Sequence, residues 1–147
     1  MAKFIYRMQS ILEIKVKLEE QAKTEFAAAK MRLDEEEEKL RILTDRKADY
    51  EEQGRILRKD SLKVMEIMEN KEAINRMEEF ILFQQKSVMR AQEQLENARM
   101  RLQEAMQESK THERLREKAF EVFVHEENAK EAKEVDELTS YTHSRKA

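Results

Sequence analysis

The chain has 147 residues, 41% of them charged, with 29 basic against 32 acidic side chains, no Pro, no Cys and a single Gly, Gly54. That length suits one domain, and so little turn chemistry excludes a loop-rich or strand-rich fold. The missing Cys exclude a disulfide framework and a thiolate metal site and suit a reducing cytoplasm, while a net charge of -3 with both signs interleaved leaves no basic stripe for nucleic acid.

Glu, Lys, Arg, Gln, Met, Leu and Ala dominate, and these residues lose little side-chain freedom in a helix. No run approaches the roughly 18 consecutive apolar residues that a membrane-spanning helix needs. The opening has no apolar h-region and no small-residue cleavage site, so it does not read as a signal peptide.

The first helix is expected over about residues 3–58. Its seam starts as Phe4, Met8, Ile11, Lys15, Leu18 and Ala22, in alternating steps of four and three. It continues through Phe26, Ala29, Leu33, Glu36, Leu40, Leu43, Lys47 and Tyr50, so two steps of four follow each other around Ala22. Such a stutter locally unwinds a supercoil. Gly54 suits either a left-handed cap or a mid-helix position costing roughly 1 kcal/mol. Continuation is preferred, because Ile56 and Leu57 extend the apolar pattern.

Asp60 or Ser61 offers an N-cap for Leu62 to Met68, and Asn70 offers a second cap, which predicts a short connecting helix at about 61–69. A second long helix is expected over about 71–140. Its seam is Ile74, Met77, Ile81, Gln84, Val88, Ala91, Leu95, Ala98, Leu102, Ala105, Ser109 and His112, the cleanest periodicity in the chain. Beyond it Leu115, Ala119, Val122, Glu126, Ala129 and Lys133 keep an approximate stripe towards Leu138, and residues 141–147 read as a frayed tail.

Two such helices bury their seams most simply by folding back on each other. The expected fold is therefore all-α: one domain over 1–147, a monomeric two-helix antiparallel coiled-coil hairpin, with helices of roughly 80 and 100 Å at 1.5 Å per residue. The Ala-rich seam from Ala91 to Ala105 lets the axes approach, with Leu33, Leu40 and Leu43 filling the space opposite.

Motifs for catalysis and cofactors are missing. His112, His125 and His143 have no zinc-binding spacing, no nucleophile sits in a strained turn, and one Gly cannot build a phosphate loop. His112 falls on the seam as a polar packing residue with a satisfied hydrogen bond, and the acidic run Asp34 to Glu38 reads as a solvated band, since a continuous helix points those side chains in several directions. The expectation is a protein with no enzymatic activity, no cofactor and no metal.

Three stretches are wider than a two-helix seam requires. The group Ile74, Met77, Phe80, Ile81 and Phe83 needs a further cover at Phe80 or Phe83, from the connecting helix or from a partner. Phe4, Ile5, Tyr6, Met8, Ile11 and Leu12 form a second group, answered by Phe120, Val122, Phe123 and Val124, with Phe4 expected near Leu138 and Ile74 near Leu62. The polar face of the first twelve residues is not strongly basic, so protein contact is preferred there to a membrane surface.

The opening Phe4-Ile5-Tyr6-Arg7-Met8-Gln9-Ser10-Ile11-Leu12-Glu13-Ile14-Lys15 resembles the aromatic-x-aromatic-Arg-Leu-Gln-x-Leu-Leu-x-Leu-Lys opening of the flagellar export protein FliJ family, with Met8 where Leu is usual. Length, heptad register and the acidic close Glu131 to Leu138 agree with it. The resemblance implies a soluble component of the flagellar type III export apparatus, folded like the two-helix stalk of the rotary ATPase gamma subunit. In that family the paired chain ends enter a hexameric export ATPase and promote its assembly, the middle meets the cytoplasmic linker of the export gate membrane protein, and export chaperones are escorted. By position, the ATPase-facing residues are Phe4, Tyr6, Arg7, Met8, Phe120 and Phe123, and the gate-facing stripe is Ala73, Met77, Phe80 and Gln84. The implied location is cytoplasmic, at the inner face of the cell membrane at the flagellar base. Other stalks of rotary ATPases, a virulence-type export stalk and a generic dimeric scaffold share the same patterning.

Overall fold

The computed structural model describes residues 2–59 and 63–146. Within them lie two helices, α1 (Gln9–Lys59, 51 residues) and α2 (Val64–Lys146, 83 residues), packed against each other, with no strand among the described residues. No Pro interrupts either run, and Gly54 is taken into α1 without a positive φ, so the helix continues past it as the apolar pattern requires.

Several boundaries differ from expectation. Helix α1 begins at Gln9, not near residue 3: residues 2–6 are outside regular structure, and Arg7 and Met8 form a turn. No Ser, Thr, Asp or Asn stands at the start, and backbone bonds do the capping. The Gln9 N–H donates to the Tyr6 carbonyl at 3.2 Å, and the N–H groups of Ile11 and Leu12 share the Met8 carbonyl, each at 3.1 Å. Residues 64–69 are not a separate connecting helix but the first turns of α2, whose first intrahelical bond runs from Ile67 to the Lys63 carbonyl at 3.1 Å. The caps expected at Asp60 and Ser61, and the pairing expected of Leu62, fall outside the described residues. Helix α2 stays helical to Lys146, because nothing from residue 128 onward breaks it.

The chain divides into two compact units, each an antiparallel pairing of α1 and α2 segments. In Ala22–Leu102 the α1 seam is Ala22, Phe26, Ala29, Leu33, Glu36, Leu40, Leu43, Lys47, Tyr50, Gly54 and Leu57, all buried or half-buried. The α2 seam from Ile74 to Leu102 is buried or half-buried at every expected position, with Ala91 (2% exposed) and Ala98 (5%) the deepest. Three polar contacts cross this seam. The Asn70 amide donates to the Tyr50 carbonyl at 2.8 Å, the Gln84 amide donates to the Glu36 carbonyl at 2.9 Å and to its carboxylate, and Lys47 pairs with Glu78 at 3.5 Å. Asn70 is therefore no helix cap. It sits inside α2 and reaches across to α1 where Gly54 leaves room.

The other unit joins residues 2–21 with 103–146. Leu12 is buried, and Ile11, Lys15, Val16 and Glu19 are half-buried on α1; Ala105, Ser109, His112, Ala119, Phe123 and Glu127 line α2. Glu19 takes the seam position expected of Leu18, which is 44% exposed. With Leu12 and Glu19 in place of Ile11 and Leu18, the steps along α1 from Leu12 alternate three and four, and the expected stutter disappears. On α2 the stripe moves to Ala119, Phe123 and Glu127, so Leu115, Val122, Glu126, Ala129 and Lys133 are exposed. From residue 128 to residue 145 every side chain is exposed, Leu138 included. The reason is geometric: Phe4 meets Phe120 and Phe123, not Leu138, so the N-terminal segment ends before it reaches that part of α2.

Pairs such as Glu38–Arg41, Glu52–Arg55 and Glu96–Arg99 decorate exposed faces one helical turn apart, as the interleaved charge predicts. Such solvent-exposed pairs contribute little to stability, because water and salt screen them. Across the helices, the Lys15 ammonium lies 2.7 Å from the Glu108 carboxylate and holds it below the usual carboxylate range, first through the hydrogen bond and then through its charge.

Two outcomes follow. A methyl group at Gly54 would overlap the Asn70 Oδ1 and lie 3.3 Å from its Cγ. Gly54→Ala alone is therefore expected to cost about 1–2 kcal/mol, but to stabilise by about 1 kcal/mol when Asn70 is already Ala, because then only the helix-propensity gain remains. Urea denaturation of the four species of this cycle measures the sign reversal. For Glu108, a folded pKa below the unfolded one means that the stabilising contribution is present above the unfolded value and is lost as pH falls through the folded one. Glu108→Gln should flatten the acid limb of thermal stability around pH 4 and below while leaving its slope near pH 7 unchanged.

Candidate partner-binding surfaces

The first surface belongs to the unit that contains the N-terminal segment. Phe4 inserts beside two aromatic rings of α2, edge-on to Phe120 with centroids 5.2 Å apart and tilted against Phe123 at 5.3 Å. Phe120 and Phe123 lie 6.5 Å apart on successive turns of α2. Three of the four expected ATPase-facing aromatics, Phe4, Phe120 and Phe123, thus form one cluster, in the range where aromatic pairs add about 0.5–1.5 kcal/mol each beyond area burial. Phe120 keeps 47% of its surface exposed; Tyr6 is half-buried, Arg7 is exposed and Met8 is 42% exposed.

Arg116 completes this cluster and was missed in the sequence. Its guanidinium carbon stands 5.5 Å from the Phe4 ring centroid, and its Nε donates to the Gln9 side-chain oxygen at 2.9 Å. The only local signal was its position one helical turn before Phe120, which is not enough to distinguish it from other exposed Arg residues.

The second surface lies in Ala22–Leu102. The expected gate-facing stripe lies on one helical face, but most of that face is turned into the seam. Ala73 and Met77 are half-buried at the seam, Gln84 is buried against Glu36, and Phe80 alone of the four turns outward, 52% exposed. The spacing 73, 77, 80, 84 follows the same three-four rhythm as the seam, and a narrow two-helix contact absorbs its inner members. The hydrogen bond from Gln84 holds the Glu36 carboxyl below the usual range, assisted by the charges of Lys39 and Arg32. Phe83 (65% exposed) lies one turn from Phe80 on an adjoining part of the surface, while Leu82 (58% exposed) faces away from it. Phe83 borders a groove with Arg32 and Glu36 of α1 and Ser87, Arg90 and Gln94 of α2. Nothing in the described chain covers Phe80 or Phe83, so the cover expected from a connecting helix is not supplied.

His112 occupies its seam position half-buried, and its Nδ1 has no hydrogen-bond partner. Among the described residues no three His, Cys, Asp or Glu side chains converge as metal ligands, and no helix is long and apolar enough to cross a membrane.

The family model described as Flagellar FliJ protein matches residues 4–147. The flagellar FliJ protein of Bacillus subtilis (strain 168) is 27% identical over 134 residues, covering 91% of each chain. The solved structure of a YscO homolog from Chlamydia trachomatis shares the fold, with a TM-score of 0.76 at 22% identity over 97% of this chain and 96% of that one. The match begins at Phe4, the residue that ties the N-terminal segment to α2, and runs through both helices: the chain belongs to the flagellar FliJ protein family.

Proposed function

We propose that this chain is a non-enzymatic component of flagellar type III protein export, acting as a stalk. In this reading its paired end segments insert into the hexameric export ATPase and promote ring assembly. Its middle meets the cytoplasmic linker of the export gate membrane protein, and the protein escorts export chaperones. It works in the cytoplasm, held at the inner face of the cell membrane at the flagellar base through these contacts.

Family membership supports the export role in general. The observation that carries the finer reading is the separation of the aromatic surfaces into two units: Phe4, Phe120 and Phe123 in one, Phe80 and Phe83 in the other. An isolated coiled coil has no use for large exposed rings, and buried aromatic anchors dominate many protein interfaces. Within the gate stripe, Phe80 is the contacting residue, with Phe83 beside it; Ala73, Met77 and Gln84 set its position through the seam. Within the ATPase set, Arg7, Met8 and Phe120 offer exposed surface, and Phe4, Tyr6 and Phe123 support them.

Paired substitutions test the assignment. Phe80→Glu should weaken binding to the gate protein's cytoplasmic region at least tenfold, about 1.4 kcal/mol, and impair motility while sparing ATPase binding. Phe120→Glu should do the reverse. Both side chains are about half exposed, so helicity by circular dichroism should stay at the wild-type level. Normal swimming and unchanged gate binding by Phe80→Glu would show that the second surface is misassigned.

A further inference from the structure

The segment before α1 is organised in a way that the helical pattern of the sequence does not describe. Exposure alternates along it: Phe4 is half-buried, Ile5 is 80% exposed, and Tyr6 is half-buried again. Period-two alternation is the mark of an extended segment lying on a surface, with one side inward and the other outward. Three contacts hold the inward side. Phe4 packs on Phe120 and Phe123, Arg116 lies over the Phe4 ring, and the same guanidinium accepts no freedom at its other edge because its Nε is bonded to Gln9, the first residue of α1. The Tyr6 carbonyl is tied to the Gln9 N–H. One Arg thus bridges the extended segment and the helix that follows it.

The outward side has its own chemistry. Among the described residues Ile5 is the most exposed of the large apolar side chains, and it stands between Lys3 and Arg7, both exposed and neither in an ion pair. An apolar tip between two uncommitted cations fits an apolar recess rimmed by carboxylates, because burial of Ile5 and charge complementarity then act together.

We propose that residues 2–8 form a strap, fastened to α2 by Phe4 and Arg116, that presents Ile5 between Lys3 and Arg7 to a carboxylate-rimmed apolar recess of the partner. Arg116 is then a positioning residue: it acts through the strap and does not touch the partner. The partner is the hexameric export ATPase, and this part of the inference rests on the functional reading above. The strap itself does not.

The test has two arms on the full chain. The protein has no Cys, so Lys3→Cys takes a nitroxide label at one position. Its spectrum should show a slow component that Arg116→Ala removes, with thermal stability and helicity kept near the parent values. Equal label mobility with and without Arg116 would overturn the strap. In the second arm, Ile5→Ser should weaken binding to the purified ATPase about tenfold without changing thermal stability, since so exposed a side chain contributes little to the fold. Lys3→Glu combined with Arg7→Glu should weaken it as well, and that loss should shrink at high salt. Wild-type affinity in Ile5→Ser would overturn the presentation of Ile5. If the wild-type chain itself fails to bind the ATPase, the functional reading and the choice of partner fall together, while the label arm still decides whether the strap exists.

Discussion

Asn70, reaching from α2 to the Tyr50 carbonyl of α1 across the space left by Gly54, is the contact on which the pairing in Ala22–Leu102 depends. A seam of Leu, Ile, Met and Ala repeating every three or four residues is nearly degenerate: sliding one helix by a heptad exchanges apolar side chains for others of similar kind. A buried amide changes that. Asn70 is 8% exposed, and moving it away from its carbonyl would strand its polar atoms without a partner, at a cost of about 1–3 kcal/mol. Gln84 repeats the device further along by bonding both the carbonyl and the carboxylate of Glu36. Two polar pins at different heights leave one register in which both are satisfied.

The second unit uses weaker fasteners, and its properties follow from them. Its seam contains Ser109, 2% exposed, and the half-buried Lys15, Glu19 and His112, so it carries less apolar surface per turn than the seam between Ile74 and Leu102. Lys15–Glu108 and Arg116–Gln9 are partly solvent-exposed contacts, and the aromatic cluster around Phe4 supplies much of the remaining adhesion. From residue 128 to residue 145, no side chain of α2 is covered by the described residues. With a thinner core, local opening there is expected to cost less than opening at the Asn70 pin.

The fold was largely readable because a two-helix seam writes itself into local periodicity. Every α2 position from Ile74 to His112 that alternates by three and four is buried or half-buried. What escaped was either non-local or chemically disguised. Leu18 looked like a seam residue and Glu19 did not, yet an unbroken helix keeps its phase, and phase places Glu19 inside. Asn70 resembled a helix cap because the partner that explains it is a carbonyl on the other helix, and no nearby residue encodes that. Phe4 fell on the heptad spacing although its segment lies outside the helix, since one aromatic residue packing on α2 leaves the same mark in either conformation. For the candidate surfaces, composition revealed the excess of aromatic residues, but it could not separate Phe80, which faces outward, from Gln84, which the seam consumes.

The most direct measurement is a pulsed electron-paramagnetic-resonance distance between nitroxides at Arg46 and Glu79, exposed sites flanking the Lys47–Glu78 pair. Antiparallel pairing within one chain predicts a single short distance, set by helix axes about 8–10 Å apart, that persists when labelled protein is diluted with unlabelled. A signal that vanishes on dilution would mean that the helices pair between chains, and would contradict the account.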